Sequence, residues 1–346
     1  MKVDLLIFDM DGVLIDVSRS YRQTIRKTTE LYLKSVLGFE NGEKWVTEEE
    51  VSLFKMAGGF NNDWDLTSGI LLYLVSLSGL PPCRARGRFL HIQEALSSLR
   101  EKSRRFPKDR NKLFFKRDFD SFLKKVKFYR GGLKGVRLAL KNSWEGWVYH
   151  QGDLNQQNLV KRIFQEVYLG EKFASYYHLP NLFYHGKGLY LKERLLFPRR
   201  ILSQLHRKIR MGIASGRPRI EAELALKRFQ INPYFSPVVT LDECREEEER
   251  SYLLTKKRKS LSKPHPYSLF RVIEESGLSS PKCAYVGDSV DDMMAAQRAK
   301  KKVRMWAIGF TASWPKKSLP KASLLQAGAD FVFTKPEHLV RWIGKN

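Results

Sequence analysis

Residues 3–16 read VDLLIFDMDGVLID, an apolar run that stops at two acids, Asp9 and Asp11, with one methionine between them. A short apolar run of this kind suits a strand buried on both faces of a parallel sheet. Ligands of doubly wound sheets bind at the carboxyl edge, so two acids that follow such a strand fall in the ligand crevice. Gly12 frees the backbone to turn there. Carboxylates this close repel one another unless a cation or a shared proton compensates. The pair therefore points to Mg2+, a hard cation that takes oxygen ligands.

A magnesium site needs further acids, and the chain supplies them. YVGDSVDD, residues 285–292, is another apolar strand ending at Gly287 and Asp288, with Asp291 and Asp292 opening the next helix. A parallel sheet brings both strand ends to one edge, so Asp9 and Asp288 are expected to share the metal. An anionic substrate also needs donors. MGIASGRP, residues 211–218, ends a third strand with Ser215 and Gly216 at the mouth of a helix, where a hydroxyl and free backbone N–H groups form an oxyanion site. SKPHP, residues 262–266, places Lys263 just before a helix that Pro266 can start.

The same apolar texture returns at 237–241, 303–309 and 330–333, with helical patterns between most of these runs. RPRIEAELALKRF, from Arg217, aligns Ile220, Leu224 and Phe229 on one face. HPYSLFRVIEESG, from His265, starts at a proline and stops at Gly277. The fold class is α/β, a Rossmann-like doubly wound parallel sheet built from residues 1–16 and 200–346.

Residues 17–199 read as an inserted, mostly α-helical domain. Tyr21, Ile25, Tyr32 and Val36 fall on one stripe, Thr47 and Glu50 have capping-box spacing, and Leu159, Ile163 and Val167 form a second stripe. Within it, residues 84–141 hold 19 Lys/Arg against 5 Asp/Glu, interleaved with Phe89, Phe106, Phe114, Phe115, Phe119, Phe122, Phe128 and Tyr129. That mixture fits a surface that stacks and tracks single-stranded nucleic acid. It fits equally helices with apolar faces and snorkelling lysines, the favoured reading because no nucleic-acid module is recognisable.

The 346 residues carry a formal charge of +25, a field that attracts anions. Cys83, Cys244 and Cys283 have neither disulfide-framework nor zinc spacing, which predicts reduced thiols and a cytoplasmic location. Acids interrupt the first apolar run, unlike a signal peptide, and GILLYLVSLSGL from Gly69 is too short to span a bilayer. A membrane partner is not expected; the chain should be a monomer or homodimer.

Asp9-Met10-Asp11-Gly12, Ser215-Gly216, Lys263-Pro264-His265-Pro266 and Gly287-Asp288 to Asp292 occur in the order and at the strand ends of the haloacid dehalogenase superfamily. The chain resembles that superfamily, in the subgroup whose helical cap is inserted after the first strand. The resemblance implies a phosphoric monoester hydrolase with Asp9 as nucleophile, forming an aspartyl-phosphate. Asp11 would be the general acid and base, and Ser215 and Lys263 would hold the phosphoryl oxygens. Asp9, the Asp11 backbone carbonyl and Asp288 would surround Mg2+, with Asp292 orienting Lys263 or a metal-bound water. Asp291 and Lys259 are the neighbouring alternatives.

An acid at Asp11 disfavours dehalogenation, because a halide leaves without a proton whereas an alkoxide needs one. The implied substrate is a small phosphorylated metabolite of the phosphoglycolate or sugar-phosphate type. A sugar phosphomutase using the same site, and a nucleic-acid-binding protein using the basic insert, are the alternatives. The cap would close over the site and exclude water. Arg19, Arg22, Asn61, Asn62 and Asp63 are its candidate substrate-binding residues, with Gly216 in the core. The cap is longer than is usual for its class, the excess lying near the basic stretch.

Overall fold

A computed structural model describes residues 3–40, 45–60, 62–84, 87–106, 117–314 and 320–345. The chain divides into two compact units, Met1–Ser18 with Glu193–Asn346, and Arg19–Lys192.

The first unit is built on a six-stranded parallel sheet. Its strands are β1 (Leu5–Phe8), β4 (Arg210–Ala214), β5 (Val238–Val239), β6 (Cys283–Gly287), β7 (Met305–Phe310) and β8 (Phe331–Phe333), in the order β5-β4-β1-β6-β7-β8. β1 is therefore central, and all four of its side chains are buried. Alternation sends them to opposite faces. Leu5 and Ile7 join Leu269, Val272, Tyr285, Met293 and Ala296 in one core cluster. Phe8 meets Phe197 and Phe235 edge-on at centroid distances of 5.4 and 5.7 Å. With apolar cover on both sides, β1 can be continuously hydrophobic, and its end reaches the site.

The unit extends past the boundaries expected at 16 and 200. β2 (Ile15–Asp16) pairs antiparallel with β3 (Arg194–Leu195), and the Leu196 N–H donates to the Leu14 carbonyl at 2.8 Å. This ladder ties the returning chain to the core before the first core helix, Arg199–His206, begins. Two-residue strands carry too little periodicity to be seen in the sequence.

The Arg219–Arg228 helix also departs from expectation. Glu221, Ala222, Ala225 and Leu226 are its buried residues, while Ile220, Leu224 and Phe229 are half-buried. Small alanines permit close packing, and a large-residue stripe misses them.

The second unit is helical in the described residues, which include Tyr21–Leu31, Glu48–Met56, Asp63–Leu77, Ile92–Arg104, Phe119–Phe128, Gly132–Ala139 and Leu159–Leu169. Tyr21, Ile25, Tyr32 and Val36 are buried as their spacing predicts, although a π-helical turn, Tyr32–Val36, carries the last two. Thr47 and Glu50 form the reciprocal capping box. Arg162 and Glu166, both buried, pair at 2.6 Å. The second Glu166 oxygen accepts from the N–H groups of Leu182, Phe183 and Tyr184 at 2.7–3.1 Å, so both oxygens of the buried carboxylate are partnered.

The basic stretch is largely a folded part of this unit. Phe119 and Phe122 are buried against Tyr73 and Phe54, Phe106 meets Trp147 edge-on, and Phe89 packs on Tyr149. Phe128 and Tyr129 are exposed; Phe114 and Phe115 lie outside the described residues. Most of the described aromatics thus serve the unit's own packing. Among the described residues, no helix is long and apolar enough to cross a membrane.

Candidate active site

Register fixes which strand ends meet. Phe8 lies beside Ile213 of β4 on one side and Val286 of β6 on the other. Asp9, Ser215 and Asp288 follow these strands and reach the same sheet edge, all three buried. The Asp9 N–H still donates to the Val286 carbonyl at 2.9 Å, which holds the first carboxylate in line with β6.

Lys263 comes from the loop preceding the Tyr267–Glu275 helix. Its amine lies 2.8 Å from Asp9 Oδ1, 2.7 Å from Asp292 Oδ1 and 2.9 Å from the Tyr285 hydroxyl. Burial opposes its charge, but Asp292 and then Asp9 hold it protonated well above the usual lysine range. Burial pushes Asp9 up to about 8; Lys263 acts the other way, and the charges of Asp292, Asp11 and Asp288 add to the rise. Asp9 thus shares its ammonium with Asp292 and has two further acids nearby, which leaves it short of positive charge.

That deficit, with an oxygen-only donor set, fits a divalent cation. Carboxylate oxygens of Asp9, Asp288 and Asp292 lie within 4.8 Å of one another. Asp292, however, has both oxygens engaged. Oδ1 accepts from Lys263 and, at 2.6 Å, from the Tyr285 hydroxyl; Oδ2 accepts from the Ser289 hydroxyl at 2.6 Å and its N–H at 3.1 Å. Of the two tasks expected of Asp292, orienting Lys263 or a metal-bound water, its hydrogen bonds serve the first, and with both oxygens engaged they oppose its ligating a metal directly. Asp291 is half-buried beside it and is not part of the three-acid cluster. Lys259, the alternative to Lys263, is exposed.

Two glycines permit this crowding. Gly12 has φ +78°, and a Cβ there would run into the Asp288 carboxylate. A Cβ on Gly287 would strike Asp292. Turning the chain, the role expected of Gly12, is thus half of its task; clearing space for a carboxylate is the other.

Ser215 is 3% exposed, and its hydroxyl oxygen accepts from the Arg217 N–H at 3.1 Å. This directs the hydroxyl proton away from its own turn and leaves it free to donate to an oxyanion. Gly216 is exposed, with open space where a Cβ would stand. Asp11 is half-buried, and its Oδ1 accepts from Arg217 Nε at 2.6 Å.

Sequence reasoning missed Arg217, Glu193, Tyr285 and Trp314. Arg217 was visible as a cation beside Ser215, yet nothing in its neighbourhood announced burial. The Trp314 indole N–H donates to Asp288 Oδ2 at 3.3 Å and supports that carboxylate from the segment after β7.

The residues proposed for substrate selection belong to the helical unit. Arg19 is exposed and Arg22 half-buried in the first turn of Tyr21–Leu31. Asn62 caps Asp63–Leu77, accepting from the Asp65 N–H at 2.8 Å and donating to the Asp65 carboxylate at 2.9 Å. Asp63 is half-buried at the start of that helix, and Asn61 lies outside the described residues. The glycine loop before them packs backbone on backbone: the Gly132 N–H donates to the Gly58 carbonyl at 2.8 Å.

A family model described as haloacid dehalogenase-like hydrolase matches residues 157–300, which contain Ser215, Lys263, Asp288 and Asp292. An imidazoleglycerol-phosphate dehydratase of Phytophthora nicotianae is 24% identical over 299 residues, 86% of this chain. The match spans only 42% of that relative's length. Phosphatase Tt82 from Thermococcus thioreducens superposes with a TM-score of 0.53 at 20% identity, covering 94% of this chain and 100% of that one. A putative phosphoglycolate phosphatase from Lactobacillus delbrueckii subsp. bulgaricus gives 0.51 at 16% identity, with 99% of each chain covered. At these identities the structural likenesses establish the fold.

Proposed function

We propose that this chain is a haloacid dehalogenase-like hydrolase, a Mg2+-dependent phosphatase of a small phosphorylated metabolite of the phosphoglycolate or sugar-phosphate type. The observation that carries the reading is the Asp9–Lys263–Asp292 contact at one sheet edge, with Ser215 and Asp288 just past the ends of the strands either side of β1.

In this reading an Asp9 oxygen attacks phosphorus as the bond to the leaving oxygen breaks, and Asp11 gives that oxygen its proton. Asp11, now a carboxylate, takes a proton from the water that attacks the aspartyl-phosphate, which frees phosphate and restores Asp9. Ser215 and Lys263 donate to the phosphoryl oxygens throughout. Asp9, Asp288 and the Asp11 carbonyl would hold Mg2+, which supplies charge neutralisation at the phosphoryl group. The helical insert is read as the substrate-selecting cap, with Arg19, Arg22, Asn61, Asn62 and Asp63 as candidate contacts.

The direct test follows free phosphate from p-nitrophenyl phosphate and from a panel of phosphorylated metabolites. Release that requires Mg2+ and stops with EDTA is expected; release indifferent to EDTA, or none from any ester, would overturn the reading.

Gly12→Ala should weaken the Mg2+ requirement's half-saturation by about 10- to 100-fold, since it displaces the Asp288 carboxylate and strains a left-handed turn. Phosphate release measured across a Mg2+ titration reports it. An unchanged half-saturation would mean that Asp288 has room to move.

A further inference from the structure

The geometry points to Arg217 and Glu193 as the device that fixes the orientation of Asp11, so that one chosen oxygen of Asp11 handles the leaving group's proton. The inference rests on the phosphatase reading and adds two positioning residues to it.

Arg217 is buried, with no exposed side-chain surface, and is pinned at both ends of its guanidinium. Nε donates to Asp11 Oδ1 at 2.6 Å, and Nη2 donates to Glu193 Oε1 at 2.9 Å. Glu193 is itself fixed: its side chain is buried, and its backbone carbonyl accepts from Arg228 Nη1 at 3.2 Å. The planar fork makes such a bridge between two carboxylates directional. The Arg217 N–H also closes the turn on Ser215, so one residue sets both the oxyanion hydroxyl and the acid.

Glu193 is 1% exposed at its side chain while Asp11 keeps 23%, so the bridge runs from a closed carboxylate to an open one. With Oδ1 accepting from Arg217, Oδ2 is the oxygen left to meet the leaving group. In expulsion of the leaving group, the phosphorus–oxygen bond breaks as a proton passes from Oδ2 to the departing oxygen. Water returns a proton to the same atom in the second step.

The test separates esters by their need for that proton. Glycerol phosphate expels an alkoxide and needs it; p-nitrophenyl phosphate expels a stabilised phenolate and does not. Arg217→Lys keeps the charge but loses the planar fork that holds Asp11 and Glu193 in fixed directions, and Glu193→Gln keeps the shape while leaving Arg217 paired with Asp11. In both, the ratio of kcat on glycerol phosphate to kcat on p-nitrophenyl phosphate is expected to fall at least about tenfold, with KM little changed. In an Asp11→Asn background the same substitutions should lower the ratio no further. Melting curves identify any variant that fails to fold, and the other variant then decides. A ratio equal to wild type, whether total activity falls or holds, would overturn the inference. Loss of all ester hydrolysis by the wild type would instead overturn the phosphatase reading.

Discussion

Asp9→Asn is expected to lower phosphate release by at least about 10³-fold while leaving the fold intact. The amide has the shape of the carboxylate but no nucleophilic oxygen. Its effect on stability follows from the same charges that surround Asp9. Burial, with Lys263 opposing and Asp292, Asp11 and Asp288 adding, raises the folded-state value to about 8, far above the ordinary value of 3.8. A carboxyl raised on folding costs stability at every pH above its unfolded value, growing until the folded value is passed. Removing the ionisable group therefore removes that cost in metal-free protein at neutral pH. The expected result is an inactive variant with an equal or higher melting temperature without Mg2+. Residual hydrolysis near wild type would show that another group attacks phosphorus.

Lys263→Met should have the largest combined effect. The amine is the shared partner of Asp9 and Asp292, and its side chain is 14% exposed. Deleting one member of a buried ion-pair network leaves the others uncompensated, at a cost of about 3–5 kcal/mol. Urea unfolding of metal-free protein measures this. Adding Asp292→Asn removes one of the stranded charges, so the double variant should regain part of the stability but none of the activity. Recovery of activity would mean that Lys263 serves the fold alone. Tyr285 would register the loss too, because its hydroxyl lies 2.9 Å from the amine.

Much of the site was legible because its placement depends on local patterns. An apolar run that ends in an acid is readable residue by residue, and a parallel sheet converts several such runs into one edge. Hence Asp9, Ser215 and Asp288 follow adjacent strands, as the sequence implies, and Lys263 reaches Asp9 across 254 positions. The helix caps were legible for the same reason, as with Thr47 and Glu50, three residues apart. Ile220, Leu224 and Phe229 misled because large residues outweighed the alanines that pack. The boundary near 193 was missed because its signal is a two-residue strand with a distant partner.

By itself the sequence determined which strand ends carry acids, which carry donors, and that they share one edge, because each depends on a residue's offset from its own strand. Only the tertiary structure decided what each acid does there. Asp292 is committed to Lys263, Tyr285 and Ser289; Asp11 is tied to Arg217 across 206 positions; Gly12 gives way to Asp288. A carboxylate's role is set by which donors reach its two oxygens, and those donors come from segments whose spacing along the chain carries no record of their meeting.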